Sequence, residues 1–439
     1  MKVSFLLGAG FSRPAGYPLA SELSSQILRL QASGIATYTN GQARLRPEFL
    51  AHLKVGNESE FIQADDDFTW SHRGGVMALE AVLVTYGLTH ELTNYEDFYD
   101  ELYTYYQMEP RLINAPEFVR EYEKRGLHIN PTREGHENHL YQALPTAFRL
   151  FPQLLEQLLA LNPTAASPGA GEAYQRFFNL IRNNVPRPSQ SIFDEPKLGH
   201  EFCIHTLNHD ELVEDYLHDE NGVEAITYSD GFSEFGSPYY GRLDFGYELP
   251  IYLRKRPNYA NVRMPRYTGE YDSPVQLLKL HGSLDYWSFG VESHDSGLYE
   301  PQVIRKQPWI PHLNLYREVE SNGAFCYRRD FHNSHSLFLS GTTAKLEQYT
   351  DPILFSRLLK LFETNLSDSS ILVIVGYGFR DEGINRLIMP SLNDPEKKVV
   401  VIGREMPEYF PAVTPAMFRS GGLEDYDFSE LETLLKAGS

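Results

Sequence analysis

The chain opens with a short apolar segment that runs directly into glycines, and this junction constrains the fold more than any other stretch. Residues 2–7 are too few for a helix of their own and are typical of a buried strand. Gly8 and Gly10 follow, and residues 19–30 then carry apolar side chains spaced by four, as in an amphipathic helix. Glycines let a backbone approach a diphosphate, and a helix N-terminus offers free N–H groups. A strand, a glycine turn and a helix in this order therefore suit a nucleotide-binding turn.

The same turn departs from the ordinary dinucleotide-binding fingerprint. Arg13 stands where that fingerprint has its third glycine, and no clear acidic ribose-binding residue can be placed about 20 residues further on. Many strand-to-helix connections contain glycine for geometric reasons alone. Taken by itself, this turn is equally consistent with a tight connection that binds no ligand.

Composition and charge narrow the class of protein. The chain has 439 residues, of which 42% are hydrophobic and 13% aromatic, so it can bury a sizeable core and is long enough for one large domain or two medium ones. We take it as a single domain, 1–439, with insertions. Lys and Arg number 39 against 59 Asp and Glu, a formal net charge of −20. Because binding to a phosphate backbone needs a basic surface, we expect no direct contact with nucleic acid.

Cysteine use and hydropathy point to a cytoplasmic protein. Cys203 and Cys326 are the only cysteines, so a four-cysteine zinc site is excluded by counting and no metal is expected. Such low cysteine use fits a reducing compartment. The N-terminal apolar run is too short for a signal peptide, and no uninterrupted apolar stretch reaches the roughly 18 residues of a transmembrane helix.

Apolar strands alternate with helices in the second half of the chain. This alternation predicts the α/β class, with a Rossmann-like parallel sheet covered by helices on both faces. Strands are expected at 201–206, 275–280, 336–340, 370–375 and 399–402, and helices at 355–366 and 431–437.

Two long segments interrupt this pattern and are predicted to be insertions. Residues 31–190 show mostly helical periodicity and are expected to form a helical insertion. Residues 222–273 are rich in Tyr, Gly and Pro without a helical period, and are expected to form hairpins or an irregular flap.

Polar or glycine-rich clusters follow three of the predicted strands. They occupy residues 206–210, 279–287 and 375–385. In open α/β sheets ligands bind beyond the carboxyl ends of the strands, so these clusters are expected to converge. Each cluster alone is equally well explained as a turn.

Taken in order, these stretches resemble the sirtuin family. The loop Gly8-Ala9-Gly10-Phe11-Ser12 with Gly16-Tyr17-Pro18 is similar to its NAD-binding loop, Thr206-x-Asn208-x-Asp210 to its catalytic loop, and His281-Gly282 to its catalytic His-Gly pair. Residues 279–283 and 376–385 resemble the bacterial sirtuin-like branch that acts in phage defence. The resemblance covers 1–30 and about 200–405.

The resemblance implies a set of site residues, with no metal among them. It implies catalytic roles for Asn208 and His281. It implies NAD contacts for Gly8, Ala9, Gly10, Ser12, Thr206, Asp210, Gly282, Ser283, Gly376 and Gly378.

Two departures from the family bear on the reaction. The zinc cysteines of the deacylases are absent, and Leu207 replaces the Gln usual in the catalytic loop. The resemblance therefore implies an NAD⁺ glycohydrolase that releases nicotinamide and ADP-ribose, an antiphage effector. It further implies a homo-oligomer and a defence partner such as a ring-forming ATPase. A non-enzymatic NAD or ADP-ribose sensor, and an ADP-ribosyl transferase or deacylase, remain the alternatives.

Overall fold

A computed structural model describes most of the chain outside the block 31–190, and parts of that block. The described residues are 1–24, 36–39, 42–45, 78–79, 81–82, 95–107, 116–124, 151, 166–186, 199–218, 226–245, 258–292, 299–307, 310, 315–328, 336–339 and 353–437.

Before residue 200 the described chain contributes one strand, β1, to the main sheet, and the elements of the first half follow in order. They are β1 (Lys2–Leu7), α1 (Ala9–Ser12), a 3-10 helix (Arg13–Ala15), β2 (Ala36–Thr39), β3 (Gln42–Leu45), α2 (Tyr95–Gln107), α3 (Pro116–Lys124), α4 (Ala170–Asn184), β4 (Glu201–Thr206) and α5 (Leu212–His218). Residues 20–24 are helical, within the segment where an amphipathic helix is predicted.

Among its described residues, the second half holds the remaining strands, three more α-helices and a 3-10 helix (Leu423–Asp425). They are β5 (Phe232–Ser233), β6 (Tyr239–Phe245), β7 (Asn258–Arg263), β8 (Arg266–Tyr267), β9 (Val275–Lys279), β10 (Tyr286–Glu292), β11 (Tyr299–Arg305), β12 (Leu315–Ser321), β13 (Ala324–Arg328), α6 (Phe355–Asp368), β14 (Ile371–Val375), α7 (Glu382–Asn393), β15 (Lys398–Gly403), β16 (Phe418–Ser420) and α8 (Ser429–Ala437).

Six strands form one parallel sheet in the order β16-β15-β14-β1-β4-β9. Counted in chain order within this sheet and read from β9, the order is 3-2-1-4-5-6, which is the order of Rossmann folds. The predicted α/β class with a parallel sheet is confirmed, and the strand order is compatible with a Rossmann-like fold.

Helices cover both faces of this sheet because its strands are apolar on both sides. On one face Phe5 packs edge-on against Phe177 of α4, with ring centroids 4.9 Å apart, and α5 and α8 join the same core. On the other face Leu6 and Leu372 lie in a second core with α6 and α7. Strands buried on both faces are typical of parallel sheets.

One predicted strand is wrong. Residues 336–339 form no strand, and Phe338 makes only an isolated bridge with Gly282. Their backbone pairs with the loop after β9 instead: Leu339 N–H donates to the carbonyl of His281, and Leu337 N–H donates to that of Tyr286. The segment is thus held by a loop, while Leu339 is buried in the core that also contains Leu6 and Leu372. Residue 340 lies outside the described residues.

The described part of the block 31–190 is mostly helical after its start. Strands β2 and β3 pair antiparallel there, within a region predicted to be helical. The intervening Asn40-Gly41 is a dipeptide typical of two-residue hairpin turns, and the alternating Thr and Tyr before it favour a strand. The sequence signal for this strand pair is therefore contained in these few residues. Most of the block lies outside the described residues, and its status as an insertion stays a prediction.

The described part of the segment 222–273 contains antiparallel strands. β5 and β8 join the sheet β10-β11-β8-β5, and β6 and β7 join the sheet β13-β12-β6-β7. Tyr239, Trp287 and Ile304 belong to a small core shared by strands of both sheets. Within the described ranges, no helix combines the length and apolarity needed to cross a membrane.

Candidate functional site

The carboxyl ends of four adjacent strands lie in register. Leu7 pairs with Val375 on one side and Thr206 on the other, and Thr206 pairs with Lys279. The residues that follow these strands therefore emerge side by side at one edge. Between β1 and β14 the strand order reverses, which is where open α/β sheets form a ligand-binding crevice.

The two glycine turns at this edge pack backbone against backbone. Gly10 N–H donates to the carbonyl of Gly376 at 2.9 Å, and Gly8 N–H donates to that of Val375 at 2.9 Å. A Cβ on Gly376 would lie 2.3 Å from the Gly10 carbonyl carbon, and its φ of +62° is in the left-handed region. These glycines permit the close approach of the turns, and the Gly8 and Gly10 amides are occupied by that contact.

Asn208 links the loop after β4 to the turn after β1. Its Nδ2 donates to the carbonyl of Gly8 at 2.9 Å and to Ser12 Oγ at 2.8 Å. Its backbone N–H donates to Oγ1 of Thr206 at 3.0 Å. Asn208 and Ser12 are both buried, so these bonds are shielded from water and hold the loop firmly.

Asp210 stands on the other side of Ser12. Its Oδ1 accepts from Leu212 N–H at 3.1 Å, which starts α5. Burial raises the pKa of the Asp210 carboxyl, although the charge of Lys279 and a hydrogen bond from Ser12 counteract part of this shift. Asp210 thus serves a local structural role and shares Ser12 with Asn208.

His281 meets the third cluster of the predicted site. Its Nε2 lies 3.2 Å from Oδ2 of Asp381, and His281 is 5% exposed. Gly282 has a φ of +78°, and a Cβ there would lie 2.3 Å from the Leu337 carbonyl oxygen. Only glycine therefore fits where residues 336–339 cross the loop that carries His281.

The loops after β4 and β9 also touch each other directly. Leu284 N–H donates to the His209 carbonyl at 3.1 Å, and Ser283 Oγ lies 3.4 Å from the same oxygen. The rings of His209 and His281 are 6.3 Å apart. Ser283 is fully buried, so its hydroxyl joins the two loops.

Ala9 and Gly378 are the two predicted site residues that are exposed. Ala9 is the first residue of α1. Gly378 has no atom within 4 Å of the place a Cβ would take, and its carbonyl accepts a hydrogen bond from Tyr409. Both residues border the turns 8–12 and 376–379 on the solvent side.

A buried cluster of charged residues connects the end of β9 to the loop after β4 and to α5. Lys279 Nζ, 1% exposed, donates to Glu214 Oε1 at 2.8 Å and to the Asp210 carbonyl at 2.5 Å. Burial alone lowers the pKa of Lys279, but the charges of Glu214, Asp285 and Asp210 outweigh it and the net shift is upward. The ammonium group therefore stays charged and anchors the loop after β4 to β9.

The carboxyl groups of this cluster hold protons more tightly than usual. Burial raises the pKa of Glu214 to about 7, against the opposing charge of Lys279. Burial and the charge of Asp285 raise the pKa of Glu211 to about 8. Oε2 of Glu214 and Oδ1 of Asp285 are buried without a hydrogen-bond partner among the described residues. No group of three metal-ligating side chains occurs in the described part of the chain.

The first turn of α2, from the block 31–190, lies near the turn after β14. Burial raises the pKa of Asp97, the charges of Asp100 and Glu96 add to the shift, and the charge of Arg380 opposes it. Burial raises the pKa of Tyr377, and the charge of Glu96 adds to that shift. A described helix of the block therefore approaches the candidate site.

A cavity of about 560 Å³ lies between α4 and α8, away from this site. Its lining includes Asn184, whose carbonyl accepts from His200 N–H just before β4 begins. The cavity is thus at the amino edge of the sheet, while the predicted site residues lie at the carboxyl edge. Ligand binding in open α/β sheets occurs at the carboxyl edge, so we place the candidate site there.

In comparisons with known proteins, no family model matches this chain and no curated protein matches it. The resemblance of its motifs to the sirtuin family therefore remains a hypothesis.

Two contacts of the site involve side chains to which the sequence assigned no role. One is the approach of Asp381 to His281, and the other is the buried pair of Lys279 and Glu214. Asp381 was noticed only as part of a motif. Its position a few residues beyond β14, with His281 just beyond β9, is the signal that a sheet-edge argument could have used.

Proposed function

We propose that this protein is an NAD⁺ glycohydrolase that cleaves the nicotinamide–ribose bond and releases nicotinamide and ADP-ribose. The observation that carries the proposal is the double hydrogen bond from Asn208 to Gly8 and Ser12. It joins the glycine turn of the NAD-binding motif to the loop of the catalytic motif, at the sheet edge where His281 also lies. The parallel sheet brings the ends of β1 and β4 side by side, and this bond adds a direct side-chain contact between the two motifs.

The reaction demands little covalent chemistry from the protein. The glycosidic bond breaks with its electron pair going to neutral nicotinamide, and the ribose C1′ becomes oxocarbenium-like. Water then adds to C1′ and loses a proton, so that NAD⁺ and water give nicotinamide, ADP-ribose and a proton. The site has to hold the ribose, exclude bulk water and position one nucleophile.

The roles of the two catalytic candidates follow from their chemistry. A neutral imidazole can accept a proton, so His281 is assigned as the base that takes the proton from the attacking water. An amide can donate and accept at once, so Asn208 is assigned to orient the water or a ribose hydroxyl through its carbonyl oxygen while Nδ2 holds the turn.

Nicotinamide release from NAD⁺ tests the proposal. Wild type, Asn208→Ala and His281→Ala would each be incubated with NAD⁺, alone and with the product of the neighbouring gene. His218→Ala is the matched control, because His218 is exposed at the end of α5 and outside the site. We expect release by wild type and the control, and a loss of about 10²-fold or more in both site variants. Intact NAD⁺ with wild type in both settings would overturn the proposal.

A second candidate function is a sensor that binds NAD or ADP-ribose without turnover. The hydrogen bonds from Asn208 to Gly8 and Ser12 also favour this function, because they occupy the amide nitrogen as in a residue with a purely structural role. This candidate predicts tight binding by calorimetry without nicotinamide release, and signalling that survives His281→Ala. Radiolabel passing from NAD⁺ to protein would instead indicate an ADP-ribosyl transferase.

The remaining parts of the proposal concern assembly. We take 31–190 and 222–273 as insertions in one domain of a cytoplasmic antiphage effector, with the first serving as an assembly surface or a lid. A homo-oligomer and a ring-forming ATPase partner would restrain such an effector until infection. Light scattering after size-exclusion chromatography, with and without the partner, tests both, and a monodisperse monomer in each case would count against them.

A further inference from the structure

Ser12 and Asp210 are expected from the sequence to contact NAD, but in the structure their side chains bond to each other and to Asn208. The Ser12 hydroxyl donates a hydrogen bond to the Asp210 carboxylate and accepts one from Nδ2 of Asn208 at 2.8 Å. Ser12 is 2% exposed and Asp210 is 7% exposed, so little of either group is open to a ligand. Their place beside Asn208 points to an indirect role.

The direction of the single hydroxyl hydrogen of Ser12 is set by Asp210. Burial raises the pKa of the Asp210 carboxyl, and the charge of Lys279 opposes this shift. The hydrogen bonds that the carboxyl accepts from Ser12 and from Leu212 N–H also favour its ionised form. An ionised carboxylate accepts hydrogen bonds and cannot donate them, so the Ser12 hydrogen points at Asp210 and its oxygen is left to accept from Asn208.

The side-chain amide of Asn208 is consequently held in one of its two orientations. Its Nδ2 donates to the Gly8 carbonyl at 2.9 Å and to Ser12 Oγ, and both of these neighbours require a donor at that place. The backbone N–H of Asn208 donates to Thr206 Oγ1 at 3.0 Å, which fixes the main chain of the residue. Among the described residues nothing donates to Oδ1 of Asn208, so this oxygen is the acceptor left for a ligand.

We propose that Asp210 is a positioning residue that acts through Ser12 on Asn208, so that Oδ1 of Asn208 is presented to the ligand as an acceptor. An acceptor binds a group that carries a hydrogen, such as a ribose hydroxyl or the attacking water, and does not bind an ionised phosphate oxygen. Ser12 does not donate to a phosphate either, because its hydrogen is used by Asp210. The assignment of the bound hydroxyl to ribose rests on the proposed glycohydrolase function, whereas the orientation of the amide does not.

Two substitutions separate this role from the local one of Asp210, whose Oδ1 accepts from Leu212 N–H at 3.1 Å. Asn and Ser make the same kind of side-chain to backbone bond in turns. Asp210→Asn and Asp210→Ser therefore keep an acceptor for the turn but remove the carboxylate that holds the Ser12 hydrogen away from Asn208. A role limited to the turn would leave both variants like wild type. Asp215→Asn, which neutralises an exposed carboxyl on α5, is the matched control.

Hydrogen exchange of the Asn208 side chain, followed by NMR, tests the amide orientation without any turnover. Full-length protein with labelled asparagine is used, and the Asn208 signal is assigned from its loss in Asn208→Ala. We expect the Nδ2 hydrogens to be protected in wild type and in Asp215→Asn, and to exchange about 10-fold faster or more in both Asp210 variants, since a buried hydrogen bond is weakened. Ser12→Ala interrupts the same relay without changing Asp210, so it gives the test if an Asp210 variant does not fold. Unprotected hydrogens in wild type, or equal protection in wild type and these variants, would overturn the inference.

Nicotinamide release by the same samples gives the second readout, in the form of a double-mutant cycle. We expect kcat to fall by about 10-fold or more in Asp210→Asn with KM changed by less than about 3-fold, because a misdirected amide affects the chemical step more than ground-state binding. In the Asn208→Ala background the same substitution should change kcat by less than about 2-fold, since the residue through which it acts is absent. Additive losses, or an equal loss in Asp215→Asn, would overturn the inference. Protection that is lost in Asp210→Asn, without turnover by wild type, would count against the glycohydrolase and leave the relay established.

Discussion

The side-chain amide of Asn208 donates a hydrogen bond to the backbone carbonyl of Gly8, with 2.9 Å between nitrogen and oxygen, across 200 residues of chain. The contact makes the loop after β4 and the turn after β1 one unit. Any ligand held by the turn is therefore positioned relative to Asn208 by the same bond.

Removing this amide is expected to lower stability. Asn208→Ala leaves the Gly8 carbonyl and Ser12 Oγ with one partner fewer in a buried setting, which costs about 1–3 kcal/mol. Urea unfolding followed by circular dichroism measures the difference. Asn179→Ala, on the exposed side of α4, is the control and should change the free energy of unfolding by less than about 0.5 kcal/mol. Equal midpoints for the two variants would contradict the prediction.

The two glycines of the turn after β14 are expected to respond differently to alanine. Gly376→Ala introduces a Cβ 2.3 Å from the Gly10 backbone at a φ of +62°, so it should lower the free energy of unfolding by more than about 2 kcal/mol. Gly378→Ala meets nothing within 4 Å and should change it by less than about 0.5 kcal/mol. Thermal melts of both variants check this. If the stable Gly378→Ala protein loses NAD binding, the ligand passes close to Gly378.

Stability is expected to fall as the pH rises through the range set by Glu211. The ordinary pKa of a glutamate is about 4.5 and that of Glu211 is about 8, so the folded protein keeps a proton that the unfolded chain releases between these values. Glu211→Gln should remove part of this loss. Its free energy of unfolding should exceed that of wild type by about 1 kcal/mol or more at pH 8.5, since one pKa unit corresponds to about 1.4 kcal/mol.

The check is a series of urea titrations of both proteins from pH 5 to 8.5. The gap between Glu211→Gln and wild type should widen as the pH rises. A gap that is constant with pH would show that Glu211 ionises equally well in the folded and unfolded states.

His205 is expected to lower the stability of the protein as the pH falls. It is buried, and burial lowers its pKa to about 3, so the folded protein excludes a proton that the unfolded chain binds below about 6.5. Its contribution to stability is complete above pH 6.5 and is lost as the pH falls toward 3. In His205→Gln the slope of unfolding free energy against pH between 6 and 4 should be smaller by up to about 1.4 kcal/mol per unit. Identical slopes in the two proteins would refute this.

Local sequence determined the parts of this protein that depend on neighbouring residues. The run at 371–375 is apolar throughout and those at 2–7 and 201–206 are largely so, a pattern that favours strands buried on both faces. Parallel strands with polar ends then imply that these ends meet at one edge, so the positions of Asn208 and His281 at that edge followed from sequence as well. The strand pair 36–39 and 42–45 was not predicted, although Asn40-Gly41 between them is a typical hairpin sequence. The surrounding block has mostly helical periodicity, and these residues were assigned to it.

Only the tertiary structure decided which groups touch. Asp381 meets His281, and Lys279 meets Glu214, because separate loops converge after long connections. The glycines at 8, 10 and 376 were predicted to let the backbone approach a ligand. The close packing of the turns 8–12 and 376–379 requires them equally. The segment 336–339 looked like a sheet strand but pairs with a loop. Periodicity reports how a segment is buried, whereas the partner that buries it depends on where the rest of the chain returns, and that information is not local.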